Sequence, residues 1–359
     1  MPIFAAVTTS KKDIRELTEA ALKEIFTARG DKPFRAHQVY EWLWKKSCTD
    51  FDRMSNLSKE TRDWLKEQFV IHPLLLEEKQ VSKDKTIKTS FRLHDRHLIE
   101  GVLIPADDRM TACVSSQVGC SLTCKFCATG KMERIRNLTA GEIYDQVVAI
   151  RQQAQQHYGT PLTNIVYMGM GEPLLNYANV LKSIEHITSE EGLNMASDRI
   201  TVSTAGIAKM IHKLADDGVK FNLALSLHAA NDTKRNQIMP INESNSLEAV
   251  MEALHYFQQH ARGRITFEYI AFNQFNDTIE DARELVALCR KVPAKINIIE
   301  YNPIGDGLFE KANPERIDQF QRYLEKNRIV ATVRRSRGKD IDAACGQLAN
   351  KKHEEALLN

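Results

Sequence analysis

Residues 110–127, MTACVSSQVGCSLTCKFC, decide how the rest of the chain is read. MTACV has the length and composition of a strand, and the loop after it sets Cys120, Cys124 and Cys127 at C-x3-C-x2-C. Three thiolates on one short loop can bind three irons of a cubane and leave the fourth iron open. An open iron can take the amino and carboxylate groups of S-adenosylmethionine. The competing reading is a structural zinc site with Cys113 as fourth ligand. Zinc sites usually pair their ligands as two C-x2-C units, and the second pair is missing. The place at the C-terminal end of a strand also favours catalysis, because barrel enzymes gather their catalytic groups there.

Outward from this segment the chain alternates. Strand candidates follow at NIVYMG (164–169), RITVST (199–204), FNLALSLH (221–228), RITFEYI (264–270) and INIIEY (296–301), with IVATVRR (329–335) near the end. Amphipathic stretches such as Ala140–Gln155 and Ile279–Arg290 lie between them. Such βα alternation implies parallel strands joined by right-handed crossovers. The expected fold is α/β, an incomplete (β/α)6 barrel over residues 109–330, with a C-terminal strand and cysteine loop at 331–359. Residues 86–108 read as a hairpin turning at His94–His97. Residues 1–85 read as a helical domain, with apolar spacing at Ile14–Ile25 and Val39–Leu43 and a helix at Lys59–Phe69 capped by Ser58.

Composition narrows the class. A chain of 359 residues, 43% hydrophobic with a net charge of +2, can bury a large core and contains no membrane-length apolar run. MPIFAAVTTSKK lacks the charged leader of a secretory signal, so a cytosolic protein is expected. Seven cysteines, an odd number with four of them crowded into residues 113–127, do not make a secreted disulfide framework. Cys48 and Cys289 read as small buried apolar residues. The tail KKHEEALLN is charged and expected to fray.

Beyond the cysteine loop, PFRAHQVYEWLW (33–44), the run from Ile99 to Gly130, GMGEPLLNY (169–177), ITVSTAGI (200–207), LALSLHA (223–229), YNPIG (301–305) and DIDAACGQL (340–348) together resemble the RlmN family of radical S-adenosylmethionine RNA adenine methyltransferases. The resemblance runs from about residue 12 to residue 350, in the family's order. It implies a [4Fe–4S] cluster on Cys120, Cys124 and Cys127. It implies a pocket for S-adenosylmethionine made by Gly171, Glu172, Ser203, Ser226, Leu227, His228 and Asn302. Read alone, Gly-Glu-Pro is a turn, Ser203 or Asn302 a helix cap, and His228 a structural histidine.

The same resemblance implies two molecules of S-adenosylmethionine per turnover. Cys345 takes a methyl group from one of them, because carbon 2 of adenine is too electron-poor to attack a sulfonium methyl directly. The other gives the radical that removes a hydrogen from this methyl, and the methylene radical adds to adenine. Glu100 matches the family's base for the ring proton. Cys113 then attacks the adduct sulfur, releasing methylated RNA and leaving a Cys113–Cys345 disulfide. The implied substrates are ribosomal RNA and transfer RNA, and the implied electron donor is of the flavodoxin or ferredoxin kind.

The basic segments KMERIRN (131–137) and VRRSRGK (333–339) are expected to meet phosphates, with the target base unpaired or flipped into the barrel mouth. Trp42, Trp44 and Trp64 could stack on bases, but their helical spacing fits core. Two rival readings stand beside this one: a Cfr-type enzyme that methylates carbon 8 of the same adenosine, and a non-catalytic metal-bearing RNA-binding module. Nothing in the sequence demands more than a monomer.

Overall fold

The computed structural model describes residues 11–350, so the expectations for the leader residues and for the tail at 351–359 lie outside the described residues. The amino-terminal part is helical. Short strands β1 (Lys12–Asp13) and β2 (Phe69–Val70) pair in parallel around α1 (Glu19–Ala28), α2 (Phe34–Trp44) and α3 (Lys59–Gln68). Ser58 caps α3 as its sequence position indicates, its Oγ accepting from the Thr61 N–H at 3.2 Å.

A four-stranded antiparallel meander follows: β3 (Leu75–Val81), β4 (Ile87–Arg92), β5 (Leu98–Ala106) and β6 (Arg109–Cys113). The β4–β5 hairpin is the expected one, but β3 falls inside the stretch read as helical. LLEEKQV has little β-propensity, and its leucines Leu75 and Leu76 are more than half exposed. Pairing with β4, not local preference, makes it a strand.

The short pair β7 (Gln117–Val118) and β8 (Arg136–Asn137) closes the loop that carries the three cysteines. The chain then runs α4 (Ala140–Tyr158), β9 (Asn164–Tyr167), α5 (Tyr177–Thr188), β10 (Ile200–Thr204), α6 (Ala208–Asp216), β11 (Asn222–Ser226), α7 (Asp232–Ile238) and α8 (Leu247–His260). It ends with β12 (Ile265–Ala271), α9 (Ile279–Lys291), β13 (Lys295–Glu300), α10 (Pro314–Lys326) and β14 (Ala331–Arg334). Thr139 and Glu142 form a capping box at the start of α4, and Thr278 and Asp281 form another at the start of α9.

One ten-stranded sheet results, in the order β14-β13-β12-β11-β10-β9-β6-β5-β4-β3. From β6 through β14 all pairings are parallel, and β3 and β14 are edges that do not pair with each other. The barrel is therefore open. The main apolar core lies between sheet and helices and continues into the amino-terminal domain through Trp44, Tyr144 and Ile14. A second, smaller cluster sits at the C-terminal ends of the strands. There Leu122, Phe126, Ile238, Met239, Phe272 and Tyr301 pack around the cysteine loop. No helix among the described residues is long and apolar enough to cross a membrane.

Candidate active site

The C-terminal ends of β9 to β13 and the cysteine loop after β6 surround a cavity lined by Cys120, Cys124, Cys127, Gly171, Glu172, Ser203, Ser226, His228 and Cys345, among others. A second chamber adjoins it, lined by Cys113, Cys345, Arg334, Arg335, Ser336 and Arg337, among others. Cys127, Thr129, Met168, Gly169, Ile299, Cys345 and Gly346 face both, so the two chambers share a wall. Residues 232 positions apart in the chain, Cys113 and Cys345, thus meet on one space.

Local structure fixes the cysteine loop. Lys125 N–H donates to the Ile238 carbonyl at 3.0 Å, Ala128 N–H to the Gly346 carbonyl at 2.7 Å, and Thr129 Oγ1 to the Leu348 carbonyl at 2.6 Å. Burial pushes the thiols of Cys120, Cys124 and Cys127 up, that of Cys120 to about 11. Without a metal they are protonated; iron would deprotonate them outright. Among the described residues no three His, Cys, Asp or Glu side chains converge in the manner of a single-ion site. A cubane needs no such convergence, because each thiolate binds a different iron. The donor set, the clipped loop and the apolar surround fit a cluster of this kind.

Beside the loop, Gly171 makes a close approach that only glycine allows. Its φ is +95°, and an added Cβ would lie 2.4 Å from Gln117 Cβ. Glu172 follows, 4% exposed. Its Oε1 accepts from Leu174 N–H at 3.1 Å and its Oε2 from Ala205 N–H at 2.8 Å. Burial outweighs these bonds and lifts its carboxyl to about 7, so it can present either a proton or a charge to a ligand in the cavity.

His228 has a left-handed backbone, φ 56°. Its Nδ1 accepts from Ile270 N–H at 3.1 Å, and burial holds its pKa near 3. The ring is neutral, with its proton on Nε2. Ser203 faces the cavity while its Oγ donates to the Tyr167 carbonyl at 2.7 Å. Two sequence candidates stand back from the cavity wall. Leu227, between Ser226 and His228, turns fully into the main core, as strand alternation requires. Asn302 is 4% exposed and its Nδ2 donates to the Cys345 carbonyl at 3.3 Å, so it braces the loop that carries that cysteine.

Cys345 is exposed along the cleft wall, and Gly346 beside it takes φ +83° where a Cβ would press the Phe126 carbonyl at 3.1 Å. The enclosing cleft raises its thiol, while Arg334 acts the other way. Cys113 is buried and its thiol rises to about 12, first through burial and then through the charge of Cys345. Both are free thiols in this structure.

Glu100 lines neither chamber. It is buried on β5, with Lys88 Nζ 3.3 Å from Oε1 and the Ala349 N–H donating to Oε2 at 3.0 Å. Lys88 Nζ also donates to the Asp342 carbonyl at 3.4 Å, so Glu100 and Lys88 hold the chain on both sides of Cys345.

The structure adds residues that the sequence reading passed over. Glu268 on β12 faces the cavity; Asn297 donates to its Oε1 at 2.7 Å, and Oε2 is buried without a hydrogen bond, 3.7 Å from the Arg334 guanidinium. It is the one acid inside RITFEYI, and an acid within an apolar run is a usable cue. Arg235 is fully buried and donates to the carbonyls of Ala205 at 2.6 Å, Ser226 at 3.1 Å and Leu227 at 3.1 Å and to Asn242 Oδ1 at 2.6 Å. It ties the ends of β10 and β11 together, and no local pattern announces it.

The basic segments are already largely engaged. Lys131 pairs with Asp306, Arg136 with Glu142 and Asp95, and Arg335 and Lys339 with Glu300. Cys48 and Cys289 are buried as expected. Trp44 is core, and Trp42 and Trp64 pack against it half-buried.

Comparison with known proteins agrees with this layout. Residues 12–71 match the ribosomal RNA large subunit methyltransferase N-terminal domain, and residues 114–288 match the radical SAM superfamily. The probable dual-specificity RNA methyltransferase RlmN of Cytophaga hutchinsonii is 62% identical over 341 residues, covering 95% of this chain and 93% of that protein. The dual-specificity RNA methyltransferase RlmN of Nitratiruptor is 41% identical over 355 residues, covering 95% and 99%. The crystal structure of a radical SAM methyltransferase from Sphaerobacter thermophilus superposes with a TM-score of 0.88 at 41% identity, covering 94% of this chain and 99% of that one. With its barrel, its cysteine loop and near full-length relatives in agreement, the chain belongs to the RlmN family of radical S-adenosylmethionine RNA methyltransferases.

Proposed function

We propose that the chain methylates carbon 2 of adenosine in ribosomal RNA and in transfer RNA, with Cys345 as methyl carrier, Glu100 as base and Cys113 as resolving thiol. The observation that carries this reading is the meeting of Cys113 and Cys345 on a chamber that shares a wall with the cysteine-loop cavity. Cys120, Cys124 and Cys127 would hold the cluster, and Gly171, Glu172, Ser203, Ser226 and His228 would hold S-adenosylmethionine. Bound there, the cluster and S-adenosylmethionine supply the methyl group and an organic radical.

The protein's own part is positional and acid–base. Cys345, on the wall common to both chambers, can take a methyl group on one side and meet an adenine on the other. Glu100 lines neither chamber, so its assignment as acceptor of the ring proton rests on the family resemblance and on its strand lying beside that of Cys113. Cys113 shares the chamber with Cys345, so its sulfur can displace the methylated base from the Cys345 sulfur and form a disulfide. The apolar cluster around Phe126 and Phe272 keeps water from the reacting groups.

The test is anaerobic. The cluster is reconstituted, and methyl-deuterated S-adenosylmethionine, a one-electron donor of the flavodoxin or ferredoxin kind and ribosomal or transfer RNA are supplied. Digested nucleosides are then analysed by mass spectrometry. Labelled 2-methyladenosine with 5′-deoxyadenosine beside it is the expected result. Labelled 8-methyladenosine would move the enzyme to the Cfr-type specificity. No methylated adenosine from a protein with an intact cluster would refute the substrate assignment.

A further inference from the structure

At the C-terminal end of β13, one carboxylate gathers three cations. Glu300 Oε1 lies 2.6 Å from Arg335, and Oε2 lies 2.6 Å from Lys339 and 3.4 Å from Lys311. The Ser336 hydroxyl also donates to the Glu300 carbonyl at 3.5 Å. The Glu300 side chain is 3% exposed, whereas those of Arg335, Lys339 and Lys311 are 67%, 44% and 45% exposed. The carboxylate is thus covered by the cations themselves. Burial alone would raise its pKa, but Lys339 and Arg335 hold it down to about 2, so it is charged at any working pH.

Two of these cations lie on the loop that leads to Cys345, and Arg335 and Ser336 line the chamber shared by Cys113 and Cys345. Two residues beyond Glu300, Asn302 grips the Cys345 carbonyl. The end of β13 therefore holds the Cys345 loop at its start and at its tip. One negative charge against three positive ones also leaves the rim of the chamber net positive while occupying the two most strongly paired cations.

We propose that Glu300 is a positioning residue for the Cys345 step that also withholds Arg335 and Lys339 from RNA phosphates. The proposal rests on the reading that Cys345 carries the methyl group and that RNA is the substrate. It makes a prediction of unusual sign. Removing the charge frees two exposed cations beside the chamber, so RNA binds more tightly. The same change loosens the loop, so turnover falls.

The test compares wild type with Glu300→Gln. RNA binding is measured on cluster-free protein across a salt series, and methylation on reconstituted enzyme. Glu300→Gln is expected to bind RNA about three- to tenfold more tightly at low salt, with the salt slope steeper by about one to two phosphate contacts. Its kcat is expected to fall about ten- to a hundredfold, as for a misplaced reacting group. A second variant, Arg335→Met with Lys339→Met, should lose turnover similarly but gain no RNA affinity. RNA binding unchanged or weakened in Glu300→Gln, or turnover preserved in both variants, would overturn the proposal. Failure of the underlying reading shows separately, as methylation that survives Cys345→Ala in an otherwise native protein.

Discussion

His186 on α5 makes the junction between the helical domain and the barrel sensitive to acid. Its ring stacks on Trp44 at 3.5 Å and 7°, and Nδ1 lies 3.4 Å from Tyr40 Oη. It is 3% exposed and Nε2 has no hydrogen-bond partner, so there is no acceptor for a second ring proton. Burial, helped by the nearby Lys182 charge, lowers its pKa from 6.5 to about 3. The unfolded chain then takes up a proton near pH 6.5 that the folded chain refuses until about pH 3. More protons bind the unfolded state in that window, so stability falls as pH falls. At pH 5 this amounts to about 2 kcal/mol, and it is absent above pH 7. His186→Phe keeps the ring and removes the titration. Urea unfolding of cluster-free wild type and variant at pH 7.5, 6 and 5 should show wild type losing about 2 kcal/mol more than the variant on acidification. Parallel pH dependences for the two proteins would refute the reasoning, whatever constant offset separates them.

Arg235→Met should cost about 3–5 kcal/mol of stability, because the carbonyls of Ala205, Ser226 and Leu227 would lose a buried charged donor; a urea midpoint near that of wild type would contradict this. Gly171→Ala, with φ +95° and no room beside Gln117, should leave the fold intact by circular dichroism but weaken S-adenosylmethionine binding at least about tenfold by equilibrium dialysis. Cys113→Ala should still form the bond to RNA but not release it, seen as a covalent protein–RNA band on a denaturing gel. Cys345→Ala should give no such band and no methylated adenosine.

Much of this was legible in short stretches of sequence because the physics there is local. Strand runs ending at polar residues, the Ser58 cap and the spacing of Cys120, Cys124 and Cys127 all depend on neighbours a few residues apart. What escaped depends on partners far along the chain. β3 exists only because β4 pairs with it, and its charged residues gave no signal of that. Leu227 and Asn302 stand in the right motifs, but strand alternation turns the first inward and the Cys345 carbonyl engages the second. Arg235 and Glu300 read as ordinary surface charges until the fold encloses one among carbonyls and the other among cations. The family resemblance named the chemistry of Cys113 and Cys345, but only the fold could show that both line one chamber.

The turn between β3 and β4 clasps the far end of the chain: Asp84 Oδ2 accepts from Gly338 N–H at 2.8 Å, and Asp340 accepts from Ser82 Oγ at 2.5 Å and Lys83 N–H at 3.1 Å. For anyone dissecting or grafting this protein, the accessory strands are therefore not a detachable linker. A chimera joined at residue 85 or 108 would sever the support of the loop that carries Cys345, whereas a join between Ile71 and Leu75 leaves the sheet and that clasp whole. The workable seam lies between helices and sheet, ahead of the first edge strand.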